Sequence, residues 1–331
     1  MQRAGNQGGR RGDERTIVVG IDGSEHARHA LKWAADEANR RHALLKIVFA
    51  RIEEPGHVPT WYQPGSSDCS PAEAVIDDAY GLVATRHPSV VARAETVEWP
   101  PAMVLTTASR SADLVVVGAR GHGGFDELLL GSVSDQCVQY AHCPVVVVHA
   151  DPDALPLRAA EPRIVVGIDG SLGSSRALKW ALEEAQLRSA SVEVVYAWQY
   201  PPIGGFVLGP VNGYEVAAEE IVHAATGYAS HHCPDVPFIS LMRFEAAVPA
   251  LLDASRHAEL LVIGSKGHGG FQHALLGSVA HQCARHATCA VVVARPVVTQ
   301  GEAATVTSIS PGAGRPDRPE GQERAAAVPV P

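Results

Sequence analysis

Ile17-Val-Val-Gly-Ile-Asp-Gly-Ser24 is a β-branched apolar run that breaks at a glycine–aspartate turn and hands the chain to a helix-forming segment. The same eight residues return at Ile164 to Ser171, 147 positions later, and Leu31 to Ala34 (LKWA) returns with the same shift at Leu178 to Ala181. Further on, Gly121 to Phe125 (GHGGF) recurs at Gly267 to Phe271 and Leu129 to Val133 (LLGSV) at Leu275 to Val279, both shifted by 146. A net loss of one residue over so long a stretch marks a whole domain written twice, by duplication and fusion, and not a solenoid of small units.

Within a copy, apolar runs alternate with amphipathic segments: Ile17 to Val19, then His26 to Arg41, then Leu44 to Ala50. Leu114 to Val117 and Val145 to Val148 are apolar without alternation, as strands covered by helices on both faces must be, so the fold class is α/β with a parallel sheet. Pro101 and Pro249 suit the first turn of the helix before the fourth strand, where the missing N–H costs little. The first domain is expected at 15–149, a proline-containing linker at 150–162 and the second domain at 163–296. Residues 1–14 are expected to be flexible and 297–331, rich in Gly, Pro, Ser, Thr and Ala, a disordered tail. Glu53 to Pro71 and Gln199 to Gly213 read as long loops, open to function or to mere tolerance of insertion.

With 331 residues, 46% hydrophobic content and a net charge of -9, the chain is large enough for two cores and carries no basic footprint for nucleic acid or an anionic membrane. No apolar run reaches the length of a membrane span, and Met1 to Arg15 lacks a signal-type apolar stretch, so a cytoplasmic location is expected. Of the six cysteines, Cys137, Cys143, Cys283 and Cys289 recur at matching places inside apolar segments; with no CxxC they read as buried reduced thiols, not disulfides or zinc ligands.

The chemistry lies after Leu114 to Val117: Gly118-Ala-Arg120-Gly121, nine residues, then Gly131-Ser132. The second copy repeats it as Gly264-Ser-Lys266-Gly267, nine residues, then Gly277-Ser278. In a parallel sheet, ligands collect beyond the carboxyl ends of the strands, where helix starts present unpaired N–H groups and a positive dipole end. Glycines let backbone approach phosphate oxygens, Ser132 and Ser278 offer hydroxyls, and Arg120 and Lys266 keep a cation in the loop. The competing reading is an ordinary βα turn with a serine N-cap. Asp22, flanked by Gly20, and Asp169, flanked by Gly167, close the first strands; each suits a contact to a base or ribose edge or a local Asx-turn, and the roles are compatible.

G-x2-G-x9-G-S after the fourth strand, with V-G-I-D-G-S on the first, resembles the universal stress protein family in its tandem, ATP-binding branch, over about Thr16 to Arg295. The resemblance implies two doubly wound domains of the adenine nucleotide alpha hydrolase-like type, each a five-stranded parallel sheet, with ATP and Mg2+ held between the first and fourth strands. It implies that Asp22 and Asp169 face adenosine and that Ala50 and Ala197 line the adenine pocket. Gly118, Gly121, Gly131, Ser132 and Val133, with their counterparts Gly264, Gly267, Gly277, Ser278 and Val279, would hold ribose and phosphates. Pairing along the last strands, Val145 to Val148 and Val291 to Ala294, would join two domains of one chain or two chains of a homodimer.

The copies differ. Ser134 becomes Ala280, which removes a candidate phosphate hydroxyl, and Asp126 and Glu127 become Gln272 and His273; a weaker second site is expected. The loops lack the lysine-serine pair of a Walker NTPase, the first strand lacks a dehydrogenase G-x-G-x-x-G, and no G-x-S-x-G elbow is present. His122 and His268 suit a structural hydrogen bond to their loops more than ligand contact, and Trp33 and Trp180 suit core packing. Two function classes stand: a nucleotide-binding regulatory protein with no catalytic or metal-ligating residue assigned, and a slow ATP-hydrolysing enzyme using the same cleft.

Overall fold

The computed structural model describes residues 15–51, 71–121, 129–153, 162–199, 202–203, 206–207, 212–268 and 275–295. The expected flexible start, the tail, Cys69, His122, Asp126, Glu127, Gln272, His273 and most of both long loops lie outside the described residues.

The first domain alternates β1 (Thr16–Ile21), α1 (Glu25–Arg41), β2 (Leu44–Ala50), α2 (Pro71–Arg86), β3 (Ala92–Val97), α3 (Pro101–Ala108), β4 (Leu114–Gly118), α4 (Ser132–Tyr140) and β5 (Val145–Val148). The second repeats this as β6 (Arg163–Ile168), α5 (Leu172–Arg188), β7 (Ser191–Ala197), α6 (Asn212–His232), β10 (Phe238–Arg243), α7 (Ala247–Ala254), β11 (Leu260–Gly264), α8 (Ser278–His286) and β12 (Ala290–Ala294). Between β7 and α6, where a plain loop was expected, Pro202–Ile203 (β8) and Phe206–Val207 (β9) form an antiparallel ribbon, and Asn212 and Gly213 already belong to α6.

Each domain is a parallel sheet of five strands, ordered β3-β2-β1-β4-β5 and β10-β7-β6-β11-β12. Helices cover both faces. Residues of α1, α2, α5 and α6 pack into one apolar layer, and those of α3, α4, α7 and α8 into the other. The four matching cysteines are buried and free, and burial pushes their thiols up to about 12, so they act as small core residues.

The last strands join the two domains of one chain. β5 and β12 pair antiparallel (Val145↔Val293, Val146↔Val292, Val147↔Val291), giving one sheet of ten strands. Around this seam the copies face each other by pseudo-two-fold symmetry. Arg41 bonds Glu37 of its own helix and Glu184 of the other domain, while Arg188 bonds Glu184 and, at 2.7 Å, Glu37. Both carboxylates are fully buried. Each arginine also lies over the other domain's tryptophan, Arg188 over Trp33 at 5.4 Å and Arg41 over Trp180 at 5.6 Å. The tryptophans therefore pack against the core and also carry the seam's cations. On the opposite face His281 meets Asp135 at 2.7 Å, and Arg295 donates to the Val138 and Gln139 carbonyls. The start of the linker is tied down by Lys32 and Arg86, which hold Asp151 and Asp153.

Burial raises Glu37, but the Arg188 and Arg41 charges and the Arg41 hydrogen bond outweigh it and hold the carboxyl at about 2. Removing one partner leaves buried guanidinium groups uncompensated, so Glu37→Ala should cost about 3–5 kcal/mol in urea unfolding. His149, at the end of β5, is pushed down to about 4 by burial, against the help of the Ala284 carbonyl. Its folded value lies below its unfolded 6.5, so the folded chain resists protonation and loses stability as pH falls from about 6.5 to 4. His149→Gln should flatten the melting-temperature profile across that window.

Candidate functional site

The four helix starts at the carboxyl ends of the strands are not alike. At α1, Ser24 Oγ accepts from Ala27 N–H at 3.2 Å, and at α5 Ser171 Oγ accepts from Ser174 N–H at 3.1 Å, so both starts are closed by their own side chains. At α4 and α8 the N-caps are Gly131 and Gly277, and neither has a side-chain cap. Ser132 and Ser278 are the first helical residues rather than caps, so the serine N-cap expected of an ordinary turn is not the one these helices use. Gly131 N–H donates to the Ala119 carbonyl at 2.7 Å, which clamps the returning loop against the strand it left. The first-turn N–H groups of α4 therefore point into the cleft with a positive dipole end behind them.

Close approach explains two of the glycines. A Cβ on Gly118 would stand 2.6 Å from the His26 carbonyl, and one on Gly264 2.5 Å from Gly173 backbone, so the fourth strand touches the first helix directly. A Cβ on Gly121 would fall inside the Asp22 carboxylate, and one on Gly267 inside that of Asp169. Asp22 Oδ1 accepts from Ser24 N–H at 2.9 Å; Asp169 accepts from Ser171 N–H at 3.0 Å and from His268 N–H at 3.0 Å. The Asx-turn is thus present in both copies, and in the second the carboxylate also ties the two loops together. Burial raises Asp169, but these hydrogen bonds and that of the Ser171 hydroxyl hold it below the ordinary carboxylate value.

These elements enclose a cleft in each domain. In the first, Gly20, Asp22, Ala50, Gly118, Arg120, Gly121, Gly131, Ser132 and Val133 line a volume of about 450 Å³. In the second, Gly167, Asp169, Ala197, Gly264, Lys266, Gly267, Gly277, Ser278 and Val279 line about 200 Å³. The structure gathers in these two clefts the glycines, Asp22 and Asp169, Ala50 and Ala197, Arg120 and Lys266, and the Ser132–Val133 and Ser278–Val279 pairs that the sequence assigned to them, while His122, Asp126, Glu127, Gln272 and His273 lie outside the described residues. It adds an apolar wall of Ala27, Val48, Pro101 and Leu105 in the first copy, and of Val195, Ala247 and Leu251 in the second, where Ser174 stands in place of Ala27. These wall residues read in sequence as ordinary core positions, so nothing in their pattern separated lining from packing.

Of the differences read from the sequence, Asp126 and Glu127 against Gln272 and His273 lie outside the described residues, and Ser134 has a structural partner. Ser134 is buried and its hydroxyl donates to the Gly118 carbonyl at 2.5 Å, so its loss in the second copy removes a strap on the strand and not a free hydroxyl. The size difference accompanies position 26: where α1 has His26, α5 has Gly173, and the Lys266 carbonyl rests where a side chain would begin. The Ser171 hydroxyl donates to that carbonyl at 3.4 Å. The second loop thus rests on its helix at Gly173.

Fold and clefts together define a tandem, doubly wound α/β protein with a glycine-lined cleft opening on an uncapped helix in each half. The model of the Universal stress protein family matches residues 14–149 and again 162–295, and the chain belongs to that family. A universal stress protein of Mycobacterium tuberculosis strain H37Rv is 32% identical over 292 residues, covering 86% of this chain and 97% of that one. One from Mycolicibacterium smegmatis is 35% identical over 300 residues, covering 85% and 97%. The crystal structure of a universal stress protein from Archaeoglobus fulgidus shares the fold with a TM-score of 0.56 at 17% identity, over 85% of this chain and 98% of that one. Among the described residues no helix is long and apolar enough to cross a membrane.

Gly118→Ala should push β4 off α1. We expect a clear fall in melting temperature, equivalent to about 1–3 kcal/mol of overpacking, with the opening of the β4 loop visible as faster amide exchange.

Proposed function

We propose that the chain is an ATP-binding regulatory protein of the stress-response type, its domains spanning 15–149 and 163–296, with Mg2+ accompanying the nucleotide. The observation that carries this reading is the contrast in capping. Ser24 closes the start of α1, while α4 begins beside it at Gly131 with no side-chain cap, in a cleft lined by three loop glycines and Arg120. N–H donors left open at a glycine-rich strand end suit an anion that brings its own oxygens, and phosphate is that anion. The apolar wall of Ala50, Val48 and Leu105 suits a flat base, and Asp22, at the edge of the cleft, suits the ribose.

In this reading the nucleotide is a signal rather than a reactant. Among the described residues of the lining, the carboxylate Asp22 is engaged by Ser24 N–H, and the hydroxyls and the Arg120 cation serve as donors. Ala119 N–H donates to the Val148 carbonyl at 2.8 Å, so the loop that would grip phosphate hangs directly on the strand that forms the seam. Occupancy of the cleft thereby acts on how the two domains hold each other. At about 450 Å³ the first cleft lies in the range of small-molecule sites, while about 200 Å³ in the second lies below it, so the first is the principal site.

Ser132→Pro isolates the proposed contact. Proline is tolerated at the first helical position, and Gly131 is already extended (ψ 154°) as a pre-proline residue must be, so the helix is kept while one N–H and one hydroxyl are lost. In calorimetric titration with Mg-ATP, the wild-type chain should bind with a stoichiometry near one, and Ser132→Pro should bind at least about tenfold more weakly. A wild-type chain that binds no ATP, or a variant that binds as well as wild type, overturns the proposal.

A further inference from the structure

On the face of the seam opposite Glu37 and Glu184, a cavity of about 590 Å³ opens where α3 and α4 of the first domain meet the end of β12 of the second. Arg295 reaches it from the second domain and Arg110 from the first, and Thr106, Thr107, Gln139 and His142 complete its polar wall. The described lining holds two guanidinium groups and no carboxylate.

Arg295 is a half-buried cation without a counter-ion. It donates to the Val138 carbonyl and, at 2.8 Å, to the Gln139 carbonyl at the end of α4, while its Nε is buried with no partner. The helix end offers it about half a negative charge. Among the described residues no carboxylate supplies the rest, and burial holds its pKa below the ordinary arginine value. Burial lowers Arg41 and Arg188 in the same seam too, but there the Glu37 and Glu184 charges outweigh it and raise both. At the same cavity the Nδ1 of His142 is a second buried nitrogen with no partner.

The duplication shows that holding a helix end does not require this charge. His149, at the matching position of the first copy, bonds the Ala284 carbonyl, the counterpart of Val138, and burial pushes its ring down to about 4, so it does so uncharged. Thr107 in turn stands where the second copy has Asp253, whose carboxylate holds Arg256, the counterpart of Arg110, at 3.2 Å. The cavity therefore has an arginine where its mirror has a neutral histidine, and a threonine where its mirror has an acid.

We infer that this cavity binds a phosphate-bearing small molecule, which joins the two domains by accepting from Arg295 of one and Arg110 of the other. Guanidinium groups arriving from two domains suit a doubly charged oxyanion with several acceptor oxygens better than a single carboxylate. The exposed Thr107 hydroxyl is a further donor. The cavity lies at the amino ends of the first domain's strands, away from both clefts, so it is separate from the nucleotide reading.

Thermal unfolding of the full chain in inorganic phosphate, with ionic strength held constant by chloride, tests this. The melting temperature should rise saturably, half-maximal at about 1 mM phosphate. Arg110→Gln removes one exposed guanidinium and should raise that midpoint at least about tenfold. Thr107→Asp installs the carboxylate that the second copy carries and should abolish the rise, because Arg110 then has its counter-ion within the chain. Ser132→Pro, which removes donors from the first cleft, should keep the rise in full. The absence of a saturable rise in the wild-type chain overturns the inference. So does a rise left unchanged by either Arg110→Gln or Thr107→Asp, and so does one that Ser132→Pro abolishes, which places the phosphate in the first cleft.

Discussion

A parallel strand of four valines at the edge of a sheet cannot stay in water, and every larger feature of this protein follows from how β5 and β12 meet that constraint. Each covers the other's open backbone and buries its apolar face between the helices of both domains. The result places Glu37 and Glu184 inside the molecule, where their charges are tolerable only because Arg41 and Arg188 reach across the seam. A buried ion group of this kind is a poor source of net stability and a strict judge of geometry, since any displacement strands a charge. It fixes how the domains face one another, and with that it fixes which sheet edges remain available.

The same economy of polar groups organises the clefts. Backbone donors at a helix start must be met by something; the chain meets them with a serine at α1 and α5 and places a glycine, which has no side chain to offer, at the start of α4 and α8. The glycines then bring the loop back so tightly that Gly131 is held by the Ala119 carbonyl and Gly121 lies against the Asp22 carboxylate with no room for a side chain. Each half thus sets a serine-capped helix start beside a glycine-capped one, and the glycine-capped one faces a cavity.

Duplication made the halves alike, and a few substitutions have since made them unlike. His26 against Gly173 accompanies a wider cleft against a narrower one, and Arg93 and Glu95 against Ile239 and Leu241 separate a charged edge from an apolar one. Asp135 against His281 does the same at the seam, where two copies of the first domain would have set carboxylate against carboxylate. The chain behaves as a two-fold dimer whose halves have been given separate tasks.

The fold class, the repeat, the parallel sheet within each copy and the glycine-rich lining of both clefts were legible in the amino-acid sequence. Those features are local: an apolar run is buried or not by its own pattern, and a glycine-rich turn after a strand opens at the strand's end whatever else surrounds it. Only the tertiary structure decided the rest. Whether the last strands join two domains or two chains, where Glu37 finds its counter-charge, whether Ser134 faces a ligand or the Gly118 carbonyl, and how wide each cleft stands all depend on groups distant in the chain. Their energies are set by burial and by a partner's exact distance, and neither quantity exists until the two halves have closed on one another.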